Sequence, residues 1–324
     1  MQATKGNRAY ARRYAIWGRE MQTFVGLSAL NDASSVAQVD KAAAKLTWNE
    51  NLLAADDAGH IGWWHPGLLP LRPKRFDERL PLPGTGEAEW RGLLSVKQRP
   101  KVIDPPAGYL GNWNNMPSVG WTNGDASAQE TNEGNLHRGA FLQQALLENT
   151  DRSLTGLKAI ERRIGTTAQQ RSLLATKLQD AQTAASGPAR TVLDTILAWD
   201  GNYDREDAAG TVDPGVAAFE ALKSAVKATV PKAARTLLGE RGGSHPFDMG
   251  AAEAAGFHSL GTAGLVKAAG AAQQALATQY GSADPATWRE PRKLYNVQVQ
   301  GVATAPRLKF YDRGTFSQAV ELGP

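Results

Sequence analysis

The 324-residue sequence contains no cysteine. This excludes disulfide bonds, thiolate nucleophiles and cysteine metal sites together, but it leaves the redox compartment undecided. The sequence also has no run of about eighteen apolar residues, and its opening residues lack the apolar stretch of a signal peptide. We therefore expect no membrane-spanning segment.

Strong charge of either sign is also absent. The net charge is +4 and the isoelectric point is near 9.2, with charged residues spread along the chain. This excess is too mild to indicate a nucleic-acid partner. The hydrophobic fraction of 42% is large enough for a sizeable core, in two domains or in one domain with a large insertion.

Residues 1–134 have the pattern of strands and loops. Apolar residues up to Ala55, the turn residues 56–59 and apolar residues from Ile61 to Trp64 predict a β-hairpin. Between Pro66 and Pro83 the chain has five prolines, so no helix or central strand can run through that stretch. We expect it to be extended, irregular and packed through its leucines.

Residues 135–290 show apolar side chains at three- and four-residue spacing, which predicts a mainly helical region. Thr155 is a candidate N-cap, and Trp199 to Gly201 is a candidate stop for a helix that begins near Arg190. Further helices are predicted at about 216–230, after Asp213 and Pro214, and at about 261–279. Residues 291–324 return to strand-like alternation and are expected to rejoin a sheet, so the fold class is α+β.

Several segments have residues suited to chemistry but favour structural roles. His60 and His65 lie on opposite faces of a strand, so we interpret them as structural rather than as ligands of one metal. Arginines and aromatic residues between 8 and 19 are better explained by a half-solvated strand than by nucleic-acid binding. Ser244 has no assigned base, and a flexible loop is the better interpretation of its surroundings.

The segment YLGNWNNMPSVGW, residues 109–121, contains three asparagines around Trp113 and has no charged residue. Asparagine is a poor helix and strand former, so the cluster indicates a loop. Composition alone favours a pair of Asx-turns, while loops held by a rigid scaffold are also where binding and catalytic groups tend to lie. Both interpretations remain open at this level.

A succession of motifs spans nearly the whole chain and is densest from Asn51 to Asn115. In order, they are AADDAGHIGWWHPG, DERLPLPGTGEAEWRGLL, VIDPPAGYLGNWNNMP, HRGAFLQQALLE, LAWDGNYD and YDRGTF. This succession resembles the β-chain of the penicillin acylase family, which belongs to the N-terminal nucleophile hydrolases. The resemblance implies a partial four-layer αββα sandwich with a helical excursion.

The resemblance also implies a hydrolase that acts on carbon-nitrogen bonds other than peptide bonds in linear amides. Candidate substrates are a β-lactam side chain, an acyl-homoserine lactone and a lipopeptide. In such enzymes a serine at the mature N-terminus of the β-chain attacks the amide, and its own α-amino group is the general base. No cofactor is needed for this chemistry.

Site residues follow from the same resemblance. Asn114 matches an asparagine that stabilises the oxyanion, and a fixed amide donor suits a developing negative charge because it needs no reorganisation. Arg138 matches an arginine that takes part in positioning near the active site. We expect Trp113 and Pro117 to hold the Asn114 amide still, and Asn112 and Asn115 to bond the backbone of their own loop.

A structural calcium ion is a further implication. Asp125 falls where some family members have a calcium-ligating aspartate, and Glu78 stands where they have a ligating proline carbonyl. Relatives are commonly periplasmic or secreted. The motifs match positions downstream of the nucleophile, so the sequence is interpreted as an internal segment. It would lack the α-chain and the N-terminal part of the β-chain, and would be inactive alone.

The alternative function is a non-catalytic module. In that hypothesis a glycan or peptide is bound by the clustered asparagines together with four tryptophans, Trp63, Trp64, Trp90 and Trp113. Exposed tryptophans on the hairpin would favour binding, whereas burial of Trp113 beneath Asn114 would favour an oxyanion loop.

Overall fold

The structure is a computed structural model. It forms two compact units, one of Met1–Thr131 with Glu321–Pro324 and one of Asn132–Val320. Helices and short strands both occur, in agreement with the predicted α+β class. The structure describes residues 2–5, 8–76, 81–112, 117–118, 133–203, 205–237, 251–291, 294–296, 307–309 and 320–322.

In the part of the first unit that the structure describes, five short strands form two antiparallel sheets. The sheets are a pair, β1 and β2, and a three-stranded sheet in which β4 lies between β3 and β5. In the larger sheet Leu52 pairs with Trp64, and Trp64 pairs with Lys101. The strands are β1 (Gln2–Lys5), β2 (Arg8–Ala11), β3 (Leu52–Ala55), β4 (Ile61–Trp64) and β5 (Lys101–Ile103).

The hairpin predicted from the sequence is confirmed as β3 and β4. Its turn is closed by the Asp56 backbone N–H, which donates to the His60 carbonyl at 3.0 Å. The Asp56 carboxylate accepts the His60 N–H at 2.9 Å, and Gly59 supplies the positive φ of 87° that the turn requires. In the proline-rich stretch that follows, the described residues are irregular apart from an isolated bridge between Pro70 and Leu93.

The described part of this unit also contains two α-helices, α1 (Gln22–Asn31) and α2 (Val36–Ala43), where the sequence predicted strands and loops. Helix α1 exposes Phe24, Val25 and Leu27 and so has no single apolar face that its sequence pattern could indicate. Helix α2 begins where the Ser35 hydroxyl accepts the Gln38 N–H at 3.3 Å. It packs against Trp64 of β4 through Val36 and Ala43.

The second unit is helical, as predicted. Its helices in the described part of the chain are α3 (Glu133–Glu148), α4 (Leu154–Thr166), α5 (Gln169–Leu173), α6 (Ala175–Ala184), α7 (Gly187–Ala198), α8 (Pro214–Thr229), α9 (Lys232–Leu237), α10 (Ala251–Ser259) and α11 (Thr262–Tyr280). A single buried cluster joins α6, α7, α8 and α11.

Some helix ends differ from the prediction. Thr155 is not the N-cap of α4; Ser153 is, since its extended backbone lets the hydroxyl accept the Gly156 N–H at 3.3 Å. Helix α7 begins at Gly187 rather than near Arg190 because Pro188 suits a first helical turn. It ends at Ala198, and Gly201 follows with a φ of 84°.

The core of the second unit is formed by large side chains that are almost fully excluded from solvent. Burial of each such side chain contributes roughly 1.5–3 kcal/mol relative to exposure. The largest members are Trp199, Trp288, Phe219, Leu178, Leu193, Ile196 and Leu222, all at 0–1% exposure. Within the described residues of the first unit, a smaller hydrophobic cluster has Val36, Ala43 and Trp64 as its buried members.

Strands were also predicted after residue 291. The described residues there form β6 (Leu294–Asn296) and β7 (Arg307–Lys309), which pair with each other in a two-stranded antiparallel sheet. The sequence predicted that this region rejoins a sheet, and among the residues that the structure describes here β6 and β7 pair with each other. Among the described helices, none is both long enough and apolar enough to span a bilayer.

Candidate functional site

The open end of the β3–β4 hairpin brings Asn51 and His65 together. Leu52 pairs with Trp64, so Asn51 and His65 are the next facing pair beyond the ladder. The His65 ring Nδ1 lies 2.8 Å from Asn51 Oδ1, and the His65 backbone N–H donates to the Pro100 carbonyl at 2.9 Å. His65 has 0% exposure, so its ring is fixed inside the unit.

The hydrogen bonding continues from Asn51 to the asparagine-rich loop. Asn51 Nδ2 donates to Asn112 Oδ1 at 3.0 Å. Because the Asn51 amide presents its oxygen to His65, Nδ1 of His65 carries the proton and donates. We call His65, Asn51 and Asn112 the amide chain; it runs from a buried ring to an exposed loop residue.

Packing beneath the amide chain is aromatic. Trp63 stacks with the His65 ring at 6.4 Å between centroids and 19° between planes. Trp64, on the other face of β4, donates its indole N–H to Asp40 Oδ1 at 2.8 Å. Burial opposes ionisation of Asp40, but hydrogen bonds from Lys101 and Trp64 outweigh it and lower the Asp40 pKa. The end of β4 is therefore anchored on both faces.

The other histidine lies at the turn end of the hairpin. His60 Nδ1 is 2.8 Å from Asp104 Oδ2, and the pair is exposed. The hydrogen bond to Asp104 raises the pKa of His60. The Ile61 backbone N–H and then His60 lower the pKa of Asp104. His60 and His65 thus have separate partners, and in the described ranges no three His, Asp or Glu residues are grouped to hold a metal.

An open depression of about 460 Å³ lies beside the asparagine loop. Its lining is mostly apolar, with Lys101 contributing the charge. Because Asn112 directly follows Gly111 in this lining, the amide chain ends at the rim of the depression. The lining residues are Trp63, Pro100, Lys101, Val102, Leu110, Gly111, Pro117 and Ser118.

Most of the predicted site residues fall on parts of the chain outside the described residues. These are Glu78, Trp113, Asn114, Asn115, Asp125 and Ser244. Arg138 lies on α3, but its side chain is likewise outside the description. Asn112 was predicted to bond the backbone of its loop; in the structure its side-chain oxygen accepts a hydrogen bond from Asn51.

Asn51 and His65 were not recognised as site residues from the sequence. A signal was present, since both are placed symmetrically about the turn at 56–59 and so must face each other in the hairpin. Their link to Asn112 depends on the path from β5 back across the sheet, and no local pattern encodes that path.

The tryptophans of the hairpin are not exposed. Trp63 retains 7% exposure and Trp64 only 3%. Trp90 is half-buried between two guanidinium groups, with Arg13 at 4.5 Å and Arg72 at 5.5 Å from its ring centroid. The exposed tryptophan surface that would have favoured a glycan- or peptide-binding module is therefore absent from the described hairpin.

Comparison with known proteins gives consistent matches. A family model for penicillin amidase matches residues 2–319. Penicillin G acylase from Escherichia coli is 34% identical over 234 residues, which are 69% of this chain and 27% of that protein. Penicillin acylase 2 proenzyme from Pseudomonas sp. strain SE83 is 31% identical over 229 residues, again 69% of this chain and 27% of that protein.

Among solved structures, the thermostable penicillin G acylase from Alcaligenes faecalis matches with a TM-score of 0.74. The match covers 90% of this chain and 58% of that chain at 22% sequence identity. A likeness at this identity shows the fold, and it confirms the predicted α+β fold of the penicillin acylase type. This chain spans about a quarter of the length of the two curated relatives, at 27% each.

Proposed function

Because the chain belongs to the penicillin amidase family, we propose that it is the part of a penicillin acylase-type amidohydrolase that presents the oxyanion-binding asparagine, Asn114. Family membership supports amide hydrolysis as the reaction. The observation that carries the assignment of the loop is the amide chain, which ties Asn112 to Asn51 at 3.0 Å, two residues before Asn114.

The chemistry requires a donor held still near the scissile carbonyl. Attack by a serine hydroxyl converts the planar amide into a tetrahedral intermediate and places negative charge on the former carbonyl oxygen. A neutral side-chain amide aimed at that oxygen stabilises the charge without reorganising, and loss of one such donor typically lowers the rate by ~10²–10³. The Asn114 amide is proposed to have this role, with Arg138 positioning the site.

The nucleophile and general base are proposed to come from a complementary part of the enzyme. The curated relatives are about four times as long as the segment they share with this chain, which covers 27% of each. Helix α1 and its neighbours also expose apolar side chains, a feature of surfaces that bind another part of a protein. The most exposed are Trp17, Met21, Phe24, Val25 and Trp48, at 56–74%. We expect the 324-residue chain to be inactive by itself.

The substrate is proposed to be a linear amide. The matched relatives are named for the acyl cleavage of penicillins, and an acyl-homoserine lactone presents the same kind of bond. The test is turnover by the complete enzyme containing this chain, with penicillin G, a chromogenic phenylacetyl anilide and an acyl-homoserine lactone as substrates.

Hydrolysis of at least one of these amides, with release of the free carboxylic acid, is the expected result. Binding of a glycan or peptide without any amide turnover would instead support the non-catalytic module. The isolated chain serves as the control and should give only the background rate.

Two further properties are proposed from the family resemblance alone. A structural calcium ion would involve Asp125 and Glu78, and it would stabilise the fold rather than take part in the chemistry. Metal analysis of the complete enzyme, compared with an Asp125→Asn variant, tests this. A periplasmic or secreted location is tested by cell fractionation.

A further inference from the structure

We infer that Asn51 and His65 are positioning residues for the oxyanion loop, acting through Asn112. This inference rests on the proposed function, because it assumes that the residues after Asn112 include the oxyanion donor. It adds a support that the sequence motifs did not indicate.

The buried end is rigid for independent reasons. His65 is inaccessible to solvent, its ring stacks on Trp63, and its backbone N–H is bonded to Pro100. Its ring Nδ1 donates to Asn51 at 2.8 Å. A ring held by packing, backbone and side-chain contacts at once has little freedom to move, so it can serve as a fixed reference for Asn51.

The backbone around Asn51, the middle residue of the amide chain, packs against the turn that follows β4. Gly67 has a φ of 111°, and an added Cβ there would lie 2.8 Å from the Cβ of Asn49. The Leu68 backbone N–H donates to the Thr47 carbonyl at 3.0 Å. Residues 47–51 and 65–68 therefore pack directly against each other, which fixes the backbone from which Asn51 projects.

The exposed end is the segment that needs support. After β5 the chain turns at Asp104, with a φ of 49°, and again at Gly108, whose N–H donates to the Pro105 carbonyl at 2.9 Å. It then returns across the sheet without forming a further strand before Asn112. The hydrogen bond from Asn51 ties this irregular segment to the rigid hairpin.

The expected effect of Asn112 on catalysis follows from its closeness to Asn114 along the polypeptide. Asn114 lies two residues after Asn112, with one residue between them, and consecutive Cα atoms lie about 3.8 Å apart. Because the two positions are this close along the polypeptide, we expect a displacement of Asn112 to displace Asn114 as well. Misplacement of a catalytic group by about 1 Å can lower the rate by ~10²-fold, so release of Asn112 is expected to reduce kcat.

The test uses the complete enzyme with Asn51→Leu, which keeps the approximate side-chain size but removes both hydrogen bonds. We expect kcat to fall by about 10-fold to ~10²-fold, with KM changed by less than about threefold, because the donor acts on the transition state. Asn51→Asp should retain most of kcat. Its carboxylate still accepts from His65, and the Asn112 amide can rotate to donate to it.

Two controls separate positioning from general destabilisation. Gln179→Leu also replaces a side-chain amide by leucine, at an exposed position of α6 outside the amide chain and outside the packed segments 47–51 and 65–68, and should leave kcat near that of the wild type. In the double variant Asn51→Asp with Asn112→Asp, two carboxylates face each other, and neither can donate a hydrogen bond at neutral pH. Its kcat should fall well below that of either single variant and recover partly on acidification, relative to the wild type.

The outcomes distinguish this inference from the proposed function. If Asn114→Ala lowers kcat strongly while Asn51→Leu and the double variant do not, the positioning role is wrong and the proposed function stands. If Asn114→Ala itself leaves kcat normal, the proposed function fails. Should Asn51→Leu not fold, the comparison of the two Asp single variants with their double decides the inference.

Discussion

The Asn51 amide donates to Asn112 Oδ1 at 3.0 Å across 61 residues of chain. One partner projects from a hairpin whose register is fixed by β3 and β4, and the other belongs to a loop without regular structure. A single side-chain contact thus connects the β3–β4 hairpin, which the sequence predicted, to the segment that contains Asn112, whose path the sequence did not predict. Through His65, the same contact reaches a fully buried ring.

The His60–Asp104 pair should make the stability of the first unit depend on pH. The hydrogen bond to Asp104 raises the His60 pKa, so its contribution is complete below about 6.5 and is lost as pH rises through the raised value. The Asp104 pKa is lowered by the Ile61 N–H and by His60, so that contribution is lost as pH falls through the lowered value. Both contributions coexist between about pH 4 and 6.5.

Asp104→Asn tests this dependence, since its amide oxygen can still accept the Ile61 N–H while the charge is gone. Thermal unfolding followed from pH 4 to 9 should show the largest deficit of the variant near pH 5–6 and a smaller deficit above pH 8. A deficit that is equal at all pH values would show that the ion pair contributes nothing.

Gly62 is expected to be intolerant of a side chain. It lies two residues before Trp64 on the same face of β4, and a Cβ at this position would overlap the Trp64 indole. Gly62→Ala should therefore lower the free energy of unfolding by about 1–3 kcal/mol through overpacking. The matched control is Gly84→Ala, because the space around Gly84 is open. Equal denaturation midpoints for the two variants would contradict this.

In the second unit, the loss of unfolding free energy on substitution of a leucine should depend strongly on how deeply that leucine is buried. Leu193 is 0% exposed and belongs to the main cluster, whereas Leu173 is 55% exposed. Leu193→Ala should cost about 2–5 kcal/mol of unfolding free energy, while Leu173→Ala should cost less than about 1 kcal/mol. Urea denaturation monitored by circular dichroism measures both. Comparable losses would mean that this cluster does not dominate the stability of the unit.

Hydrogen exchange should differ between the two units of the isolated chain. The large apolar cluster contains side chains of α7 and α8, whereas the cluster behind the β3–β4 hairpin has three buried members among the residues that the structure describes. Amides of residues 187–229 should therefore exchange more slowly than those of residues 45–104. Equal protection of the two segments in a soluble monomer would indicate that the hairpin needs no covering part.

Local chemistry made part of the fold predictable. The turn at 56–59 predicted the hairpin, and Asp213 with Pro214 predicted the start of α8, where Asp213 accepts the Gly215 N–H at 2.7 Å. Helix α1 was missed because its apolar side chains are exposed rather than aligned on one face.

The candidate site was predictable only in part. The facing of Asn51 and His65 follows from hairpin register, but the approach of Asn112 depends on a long-range path. The role assigned to Asn114 came from resemblance to a family, and its position lies outside the described residues. Sequence therefore indicated the loop, and the structure added the support on which the loop rests.

The most direct measurement is kcat for Asn114→Ala in the complete enzyme, beside Asn115→Ala as the neighbouring control. The account predicts a fall of about 10²-fold or more for Asn114→Ala, which corresponds to roughly 2.7–4 kcal/mol of transition-state stabilisation. Stability should change by only about 1 kcal/mol. Asn115→Ala should affect kcat less. A near-normal kcat for Asn114→Ala would contradict the assignment of the oxyanion donor.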